Sequence, residues 1–567
     1  MYQSNRLGLC HCWVAFGLFL PAVVLGVWQM LMRSPLPAPL ADPVAYYASV
    51  TLHGTVMAYV LTTFFIMGFG YAVAATSLGR PVRGMTAAWI GFVVCLLGTV
   101  IAAVTILSGR ASVLYTFYPP LLASPWYYGG VFLLVGGSMI WVVLMIINMA
   151  AWKRDNPGEP VPLAMFAITA TACLWAWAAS GVVIELLGVI LSAAFGWTTT
   201  IDAGLGRTLF SVTLHAIVYF WLMPAYIAFY TLVPQAAGGR QYSDTMGRLT
   251  FIMLLVFAVP VGVHHLFADP EVGGGFKFVQ TFLTFFVALP TLLTVFSICA
   301  SLEVAGRARG GRGLLRWIGA LPWKEPMVLA AALSLVMLGL GGFGGFINMS
   351  YAMNSMIHNT SWVTAHFHLI FGGAVVIMYF AIAYEMWPRI TGKPLRSEGL
   401  ARWQLWLWFG GMLITTIPWH IAGLMGQPRR VATFDYSIPF VARTAALVDI
   451  SVIGGLILLS SAILFFIVLV RSHGGERTVT VPLRYALAVN PPARVPAALN
   501  GFALWNSILL VLMLVAYGYP IGEAAAIALD TAKQFLDERG RPELVRFVLF
   551  DAEALAAFAA AMEALRQ

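Results

Sequence analysis

The sequence predicts an all-α protein, a polytopic transmembrane helical bundle of about 13 helices, on three observations. Of the 567 residues, 60% are hydrophobic and 10% charged, with a mean hydropathy of +0.86. A soluble globular domain carries roughly a quarter charged residues. Apolar runs of about 20 residues recur along the chain, the length a helix needs to cross about 30 Å of hydrocarbon and too long for a strand. Lys and Arg gather in alternate loops, as expected of a chain threaded back and forth through a bilayer.

Taken in order, the first span, near 11–33, holds the unbroken apolar run 13–30. Spans near 49–77 and 86–109 are separated by Arg80 and Arg83, and spans near 126–150 and 161–192 by Lys153 and Arg154. Arg240 and Arg248 stand between spans near 207–233 and 248–268. Arg307, Arg309, Arg312, Arg316 and Lys324 separate 276–300 from 327–349, and Arg389, Lys393, Arg396 and Arg402 separate 360–387 from 402–425. Spans near 445–471 and 498–518 complete a core read as 1–519. With the amino terminus on the same side, these loops hold roughly 20 Lys or Arg against roughly 7 in the others, which sets them in the cytoplasm. They account for the net charge of +9 without a nucleic-acid partner. The first run is too long for a cleavable signal sequence and lacks a small-residue cleavage site, so it is expected to stay as a span.

The segment 520–567 differs. A polar stretch with Asp530, Lys533, Asp537, Glu538 and Arg539 is broken by Gly540 and Pro542, and an alanine-rich amphipathic segment follows over 543–565. It is expected to form an extramembrane helical tail that docks on the complex or a partner. The five cysteines, Cys10, Cys12, Cys95, Cys173 and Cys299, are too scattered for a disulfide framework. The triplet Cys10-His11-Cys12 matches no common zinc spacing, and all five are read as small apolar residues.

Six of the 10 histidines fall at one depth, towards the outer face: His53, His215, His264, His265, His366 and His368. An imidazole in hydrocarbon is costly unless it pairs or ligates. One alone reads as a hydrogen-bonded core residue, whereas six at one level read as ligands. A helix turns about 100° per residue, so His366 and His368 point to nearly opposite sides and one helix can serve two cofactors. His215 and Tyr219, four apart, share a face, and His264 and His265 are consecutive at a helix end where the backbone can bend to aim both inward. These three imidazoles suit a copper ion, and imidazole is equally a ligand for haem iron. No clustered thiolates or carboxylates at this depth favour iron–sulfur or magnesium chemistry. Two haems and one copper ion use all six.

The residues that carry these positions are 51–54 (Thr-Leu-His-Gly), 215–219 (His-Ala-Ile-Val-Tyr), 263–270 (Val-His-His-Leu-Phe-Ala-Asp-Pro) and 358–368 (His-Asn-Thr-Ser-Trp-Val-Thr-Ala-His-Phe-His). With 113–120, 303–313 and the triplet Pro428-Arg429-Arg430, this set resembles the haem-copper oxygen reductases, and their B family most closely. The resemblance spans most of 13–470 and implies a catalytic subunit I that reduces O2 to water as a cytochrome c oxidase, or as a quinol oxidase. It implies that His53 and His368 are the axial ligands of a low-spin haem b. His366 would bind a high-spin haem of a or b type, facing a copper held by His215, His264 and His265.

Reducing O2 without releasing peroxide takes four electrons at once, more than one iron and one copper supply, so Tyr219 beside His215 is the natural source of the fourth electron and of a proton. In the family this tyrosine is covalently joined to the histidine. Protons need a polar route to the site. Tyr219, Tyr226 and Tyr230 recur on the sixth span, and Thr291, Thr294 and Ser297 on the eighth; together they resemble the family's single proton channel, which also implies proton pumping. Ile217 stands where the A family often carries a channel glutamate. Arg429 and Arg430 are matched to haem propionates, for which a guanidinium suits a carboxylate, with His358 joining them. Glu185, deep in the fifth span, is read as protonated or hydrogen-bonded structure, with a role in proton exit as the other reading.

The chain departs from the pattern at Leu214 and Ala216, where the family places glycine and proline about the first copper ligand, so a helix kink is expected to be missing. Asn354 replaces an aspartate near the propionates. A nitric oxide reductase on the same scaffold is the alternative; it would carry non-haem iron and extra glutamates, and none stands near His215 or His264. No cysteine-rich copper motif is present. Electrons are therefore expected through a subunit II bearing a copper entry centre, from cytochrome c, or directly from a quinol. The expected setting is a bacterial or archaeal inner (plasma) membrane, with membrane lipid around the bundle and the amino terminus in the cytoplasm.

Overall fold

The computed structural model describes residues 2–269, 272–479, 483–517, 529, 533 and 552–566. Among the described residues, eleven helices are long and apolar enough to span a membrane: α1 Gln3–Arg33, α2 Pro43–Ser77, α3 Met85–Leu107, α4 Pro125–Asp155, α5 Leu163–Ala194, α6 Ala203–Ala236, α8 Gly274–Ala308, α9 Pro326–Met349, α10 Ser361–Thr391, α11 Glu398–Leu424 and α12 Ala445–His473. The other two predicted spans are shorter helices of 15 residues each, α7 Asp244–Ala258 and α13 Ala503–Tyr517. Among the described residues the only β pairing is two isolated bridges. Of the tail read as 520–567, helix Ala552–Arg566 is described with Leu529 and Lys533; positions 530 and 537–542, and Pro270 of the histidine motif, lie outside the described residues.

Local chemistry sets the helix starts. Pro43 opens α2 with Asp42 as its cap, the carboxylate accepting from the backbone N–H groups of Val44 at 3.2 Å and Ala45 at 3.0 Å. The helix thus begins six residues before the predicted 49. Asp202 caps α6 at Leu205 N, and Ser243 caps α7 at Met246 N. The span read as 248–268 is corrected: α7 ends at Ala258, ahead of Pro260, and 262–266 form a 3₁₀ turn.

The bundle packs as membrane helices do, through small residues. On α3 and α4, Gly98 and Gly130 lie so close that a Cβ on Gly130 would stand 2.7 Å from the Gly98 carbonyl. On α11 and α12, a Cβ on Gly454 would stand 2.9 Å from the Gly411 carbonyl. Leu97, Val100 and Val104 on α3 and Ile453 and Leu456 on α12 face outward as expected of lipid-facing positions. The core is aromatic: Tyr379 of α10 stacks on Phe65 of α2 at 4.1 Å and donates to the Trp221 carbonyl of α6 at 2.7 Å. Arg248, counted among the loop charges, is instead buried; its Nε is 2.5 Å from Asp244 and its Nη2 donates to the Val161 carbonyl at 2.5 Å. It ties α7 to the start of α5. Cys10, Cys12, Cys95, Cys173 and Cys299 are all free thiols.

Among the described residues, three helices are widened by a π-helical turn: α2 over Val56–Leu61, α5 over Leu186–Ile190 and α10 over His368–Val375. Such an inserted residue re-aims the side chains beside it.

Candidate functional site

The end of the bundle that carries the loops 108–124, 195–202, 350–360 and 425–444 also carries the six histidines. On α2 and α10 the rings of His53 and His368 are neighbours, 18° from parallel, with centroids 6.3 Å apart. His53 Nδ1 donates to the Ala22 carbonyl of α1 at 2.8 Å, and His368 Nδ1 to the Thr364 carbonyl at 2.8 Å. A carbonyl only accepts, so each Nδ1 carries the proton and each Nε2 lone pair is left as a ligand. An iron bonded at about 2.0 Å to two opposed imidazoles sets their centres about 6 Å apart, so the pair fits a haem iron held from both faces.

His366 turns the other way along α10. Its Nδ1 donates to the Gly341 carbonyl of α9 at 2.9 Å. Gly344 lies beneath the ring, where an added Cβ would stand 3.1 Å from His366 Nδ1. As predicted, one helix offers its two histidines to different neighbours. Phe367 between them packs against Trp221 of α6 at 5.8 Å and lies nearly parallel to Tyr115 at 6.5 Å.

His215, His264 and His265 come together with one nitrogen each, all within 4.8 Å of one another, the only such group of three among the described residues. Their rings cross rather than face: His215 meets His264 at 84° and His265 at 47°. His264 Nδ1 is fixed by the Val261 carbonyl at 2.5 Å. The Nε2 atoms of His215 and His265 are buried with no hydrogen-bond partner among the described residues. Two bonds of about 2.0 Å span at most about 4 Å between donor atoms, so a small rotation of the rings completes a three-imidazole site for a copper ion. The Tyr219 ring lies 5.1 Å from that of His215.

Two contacts that place this triad were not legible in the sequence. Thr213 Oγ1 donates to the Ala178 carbonyl at 2.6 Å and accepts from Val182 N at 2.7 Å, the very groups that an unbroken turn of α5 would join to each other. It wedges α5 open two residues before His215, with Gly181 leaving room for it. At Gly262 a Cβ would overlap the Ser211 carbonyl, so only glycine lets the histidine turn lie this close to α6.

The hydroxyl stripe assembles in part. Tyr226 Oη is 2.9 Å from Thr291 Oγ1, and Tyr230 Oη is 2.9 Å from Thr250 Oγ1 and 3.4 Å from Thr294 Oγ1. Thr250, on α7, is an addition that spacing within one helix could not reveal. Ser297 Oγ faces Met246 Sδ at 3.9 Å. Tyr219 and Tyr226 are seven residues apart, about 10 Å of helix, which side chains alone do not bridge.

Over this end, Arg429 Nη2 donates to Asn359 Oδ1 at 3.0 Å, while its Nε is buried without a partner among the described residues. Burial, and then the neighbouring Arg430, lower the Arg429 guanidinium to about 10. Arg430 is exposed with a left-handed φ of 62°. His358 Nδ1 lies 2.7 Å from Asn354 Oδ1, and Asn354 Nδ2 donates to the Asn348 carbonyl at 2.6 Å. Burial and the charges of Arg429, Arg430 and Lys277 lower His358 to about 4.

The profile described as "Cytochrome C and Quinol oxidase polypeptide I" matches residues 6–457. The chain is 38% identical to cytochrome c oxidase subunit 1 of Thermus thermophilus over 486 residues, covering 84% of this chain and 85% of that one. It is 24% identical to the alternative cytochrome c oxidase subunit 1 of Bradyrhizobium diazoefficiens, over 76% of this chain and 75% of that one. In structure it is similar to a heme-copper terminal oxidase dimer solved by cryo-electron microscopy, with a TM-score of 0.86 and 30% identity, covering 100% of this chain and 99% of that chain.

Proposed function

The chain belongs to the cytochrome c and quinol oxidase polypeptide I family, and from that premise we propose how its residues share the work. It is a terminal oxidase subunit, an oxidoreductase that reduces O2 to water in a membrane as a cytochrome c oxidase does. Haem iron and copper, when bound, supply the redox centres, and the donor set fits them.

His53 and His368 would hold a low-spin haem b, which when bound would supply electron transfer. His366 would hold the high-spin haem, of a or b type. His215, His264 and His265 would hold the copper, which when bound would supply a redox centre beside Tyr219. Tyr219 keeps a phenolic proton and an electron within reach of the triad. Tyr226 with Thr291, and Tyr230 with Thr250 and Thr294, carry protons towards it through water, and Ser297 extends the row. Arg429, Arg430 and His358 bind propionates; the unpartnered Nε of Arg429 is a donor in want of such a carboxylate. Convergence of three imidazoles within 4.8 Å beside Tyr219 is the observation that carries this reading.

The absence of a glutamate from that group supports oxygen over nitric oxide. The single hydroxyl route and Ile217 support the B family, with proton pumping coupled to turnover. A subunit II with a copper centre would pass electrons from cytochrome c, with a quinol as the other donor. The basic loops support an inner-membrane topology with a cytoplasmic amino terminus. Residues 1–519 form the membrane core, and 520–567 an extramembrane tail.

Metal analysis of the purified complex, with reduced-minus-oxidised and carbon monoxide difference spectra, tests the assignment. Copper with two haems, one binding carbon monoxide, is expected. Iron in place of copper would shift the reading to nitric oxide reduction.

A further inference from the structure

Of the three π-helical turns, one begins three residues after His53 and another begins at His368 itself. The third begins immediately after Glu185. A turn of this kind is strained relative to an α-helical one and is found mostly where a side chain must be aimed for function. Two of the three aim histidines of the nearly parallel pair, and the third aims a carboxyl group.

Glu185 is fully buried, and neither of its carboxyl oxygens has a hydrogen-bond partner among the described residues. An unpaired carboxylate in such a place costs several kcal/mol, so the group is held as a neutral acid or by water. Two more buried oxygens without partners, Thr116 Oγ1 and Tyr118 Oη, lie on the loop that folds over this part of α5 and α6. Gly206 fixes the junction: a Cβ there would stand 2.7 Å from Pro119 Cγ and 3.5 Å from Glu185 Oε1. The loop is no loose cover. Thr51 Oγ1 accepts from Leu114 N at 2.9 Å, Tyr59 Oη donates to the Tyr115 carbonyl at 3.2 Å, and Tyr118 meets Phe210 edge-on at 5.4 Å. On its far side it reaches the arginines, whose charge opposes the upward push of burial on the Tyr115 and Tyr118 phenols. The two carboxyl oxygens and the Tyr118 hydroxyl, close enough for charge on Glu185 to act on that phenol, are unpartnered oxygens of the kind a buried water needs, two to four polar partners, and Thr116 Oγ1 lies on the same loop.

We propose that Glu185 is a proton-holding residue, exchanging its carboxyl proton through water shared with Tyr118 and Thr116 towards the surface lined by Arg429 and Arg430. In this step the carboxyl O–H bond breaks as a water O–H bond forms, and the acid is restored by a proton from water on the metal side. No electron moves. Glu185 touches neither substrate nor metal; it is a positioning residue for protons, and the proposal rests on the oxidase reading above.

Infrared difference spectra, reduced minus oxidised, of the whole complex in H2O and D2O test it, together with proton release per electron in proteoliposomes. The wild type is expected to show a carboxylic-acid carbonyl band that shifts in D2O. That band is lost in E185Q, displaced in E185D and shifted in Y118F. Proton release per electron is lost in E185Q and restored in E185D. A band unaltered in E185Q, or release that E185Q leaves intact, would overturn the proposal. Should E185Q fail to assemble, the shift in Y118F decides. A wild-type complex without a carbon monoxide-binding haem would remove the oxidase reading instead, so the two failures stay distinct.

Discussion

The pair His53–His368 and the triad His215–His264–His265 put one kind of side chain to opposite uses. The pair is nearly parallel, drawn from two long helices, each ring pinned by a backbone carbonyl, with centroids 6.3 Å apart. The triad draws one ring from α6 and two from a 3₁₀ turn past the end of a shortened α7, and its rings cross at steep angles. It surrounds a point from one side and leaves the other free. Closed geometry suits a centre that only passes electrons; open geometry suits one that must admit a substrate.

If the two regions are separable in this way, His215→Ala should lower O2 reduction by on the order of 10⁴-fold, since a member of an interdependent set is lost. Copper should be absent by metal analysis, while the low-spin haem spectrum persists. Loss of that spectrum as well would break the comparison. Tyr219→Phe should keep both haems and copper yet slow turnover by roughly 10²–10⁴-fold, the weight of a positioned proton donor; near-normal steady-state rates would remove Tyr219 from the chemistry. Thr213→Val should cost about 1–3 kcal/mol by orphaning Ala178 O and Val182 N. It would lower the thermal midpoint and copper occupancy together, with Thr213→Ser close to wild type and the pair unaffected.

The smallest effect concerns pH. His358 is lowered from 6.5 to about 4, so the folded state resists its protonation. Its contribution is intact above 6.5 and is eroded as pH falls towards about 4. The thermal midpoint of the wild type should therefore decline over that window, with a shallower decline in His358→Gln. Equal slopes would show that His358 is not the responsible group.

The helical fold and the grouping of the histidines were legible because hydrocarbon imposes a one-dimensional code of run length, and because a histidine at membrane depth is conspicuous without context. His366 and His368 were assignable to opposite sides from helical twist alone. The wedge of Thr213, the close approach at Gly262 and the bond from Tyr230 to Thr250 were not, since each depends on what a neighbouring helix presents rather than on any period within its own. The predicted 248–268 span failed for a local reason: Pro260 ends the helix, and the two histidines need the freer backbone beyond it. Leu214 and Ala216 give no proline kink at His215, yet Thr213 opens the helix next door.

His366 and His368 share one rail. Rotating α10 moves both rings at once in opposed senses and sliding it carries both the same way, so neither histidine's site can be adjusted through this helix without disturbing the other. Independent adjustment is left to the partners that are not shared, α2 for one centre and α6 with its adjoining turn for the other. Variation that alters one potential while sparing its neighbour should accumulate there, and α10 should tolerate neither insertion nor deletion between its two histidines.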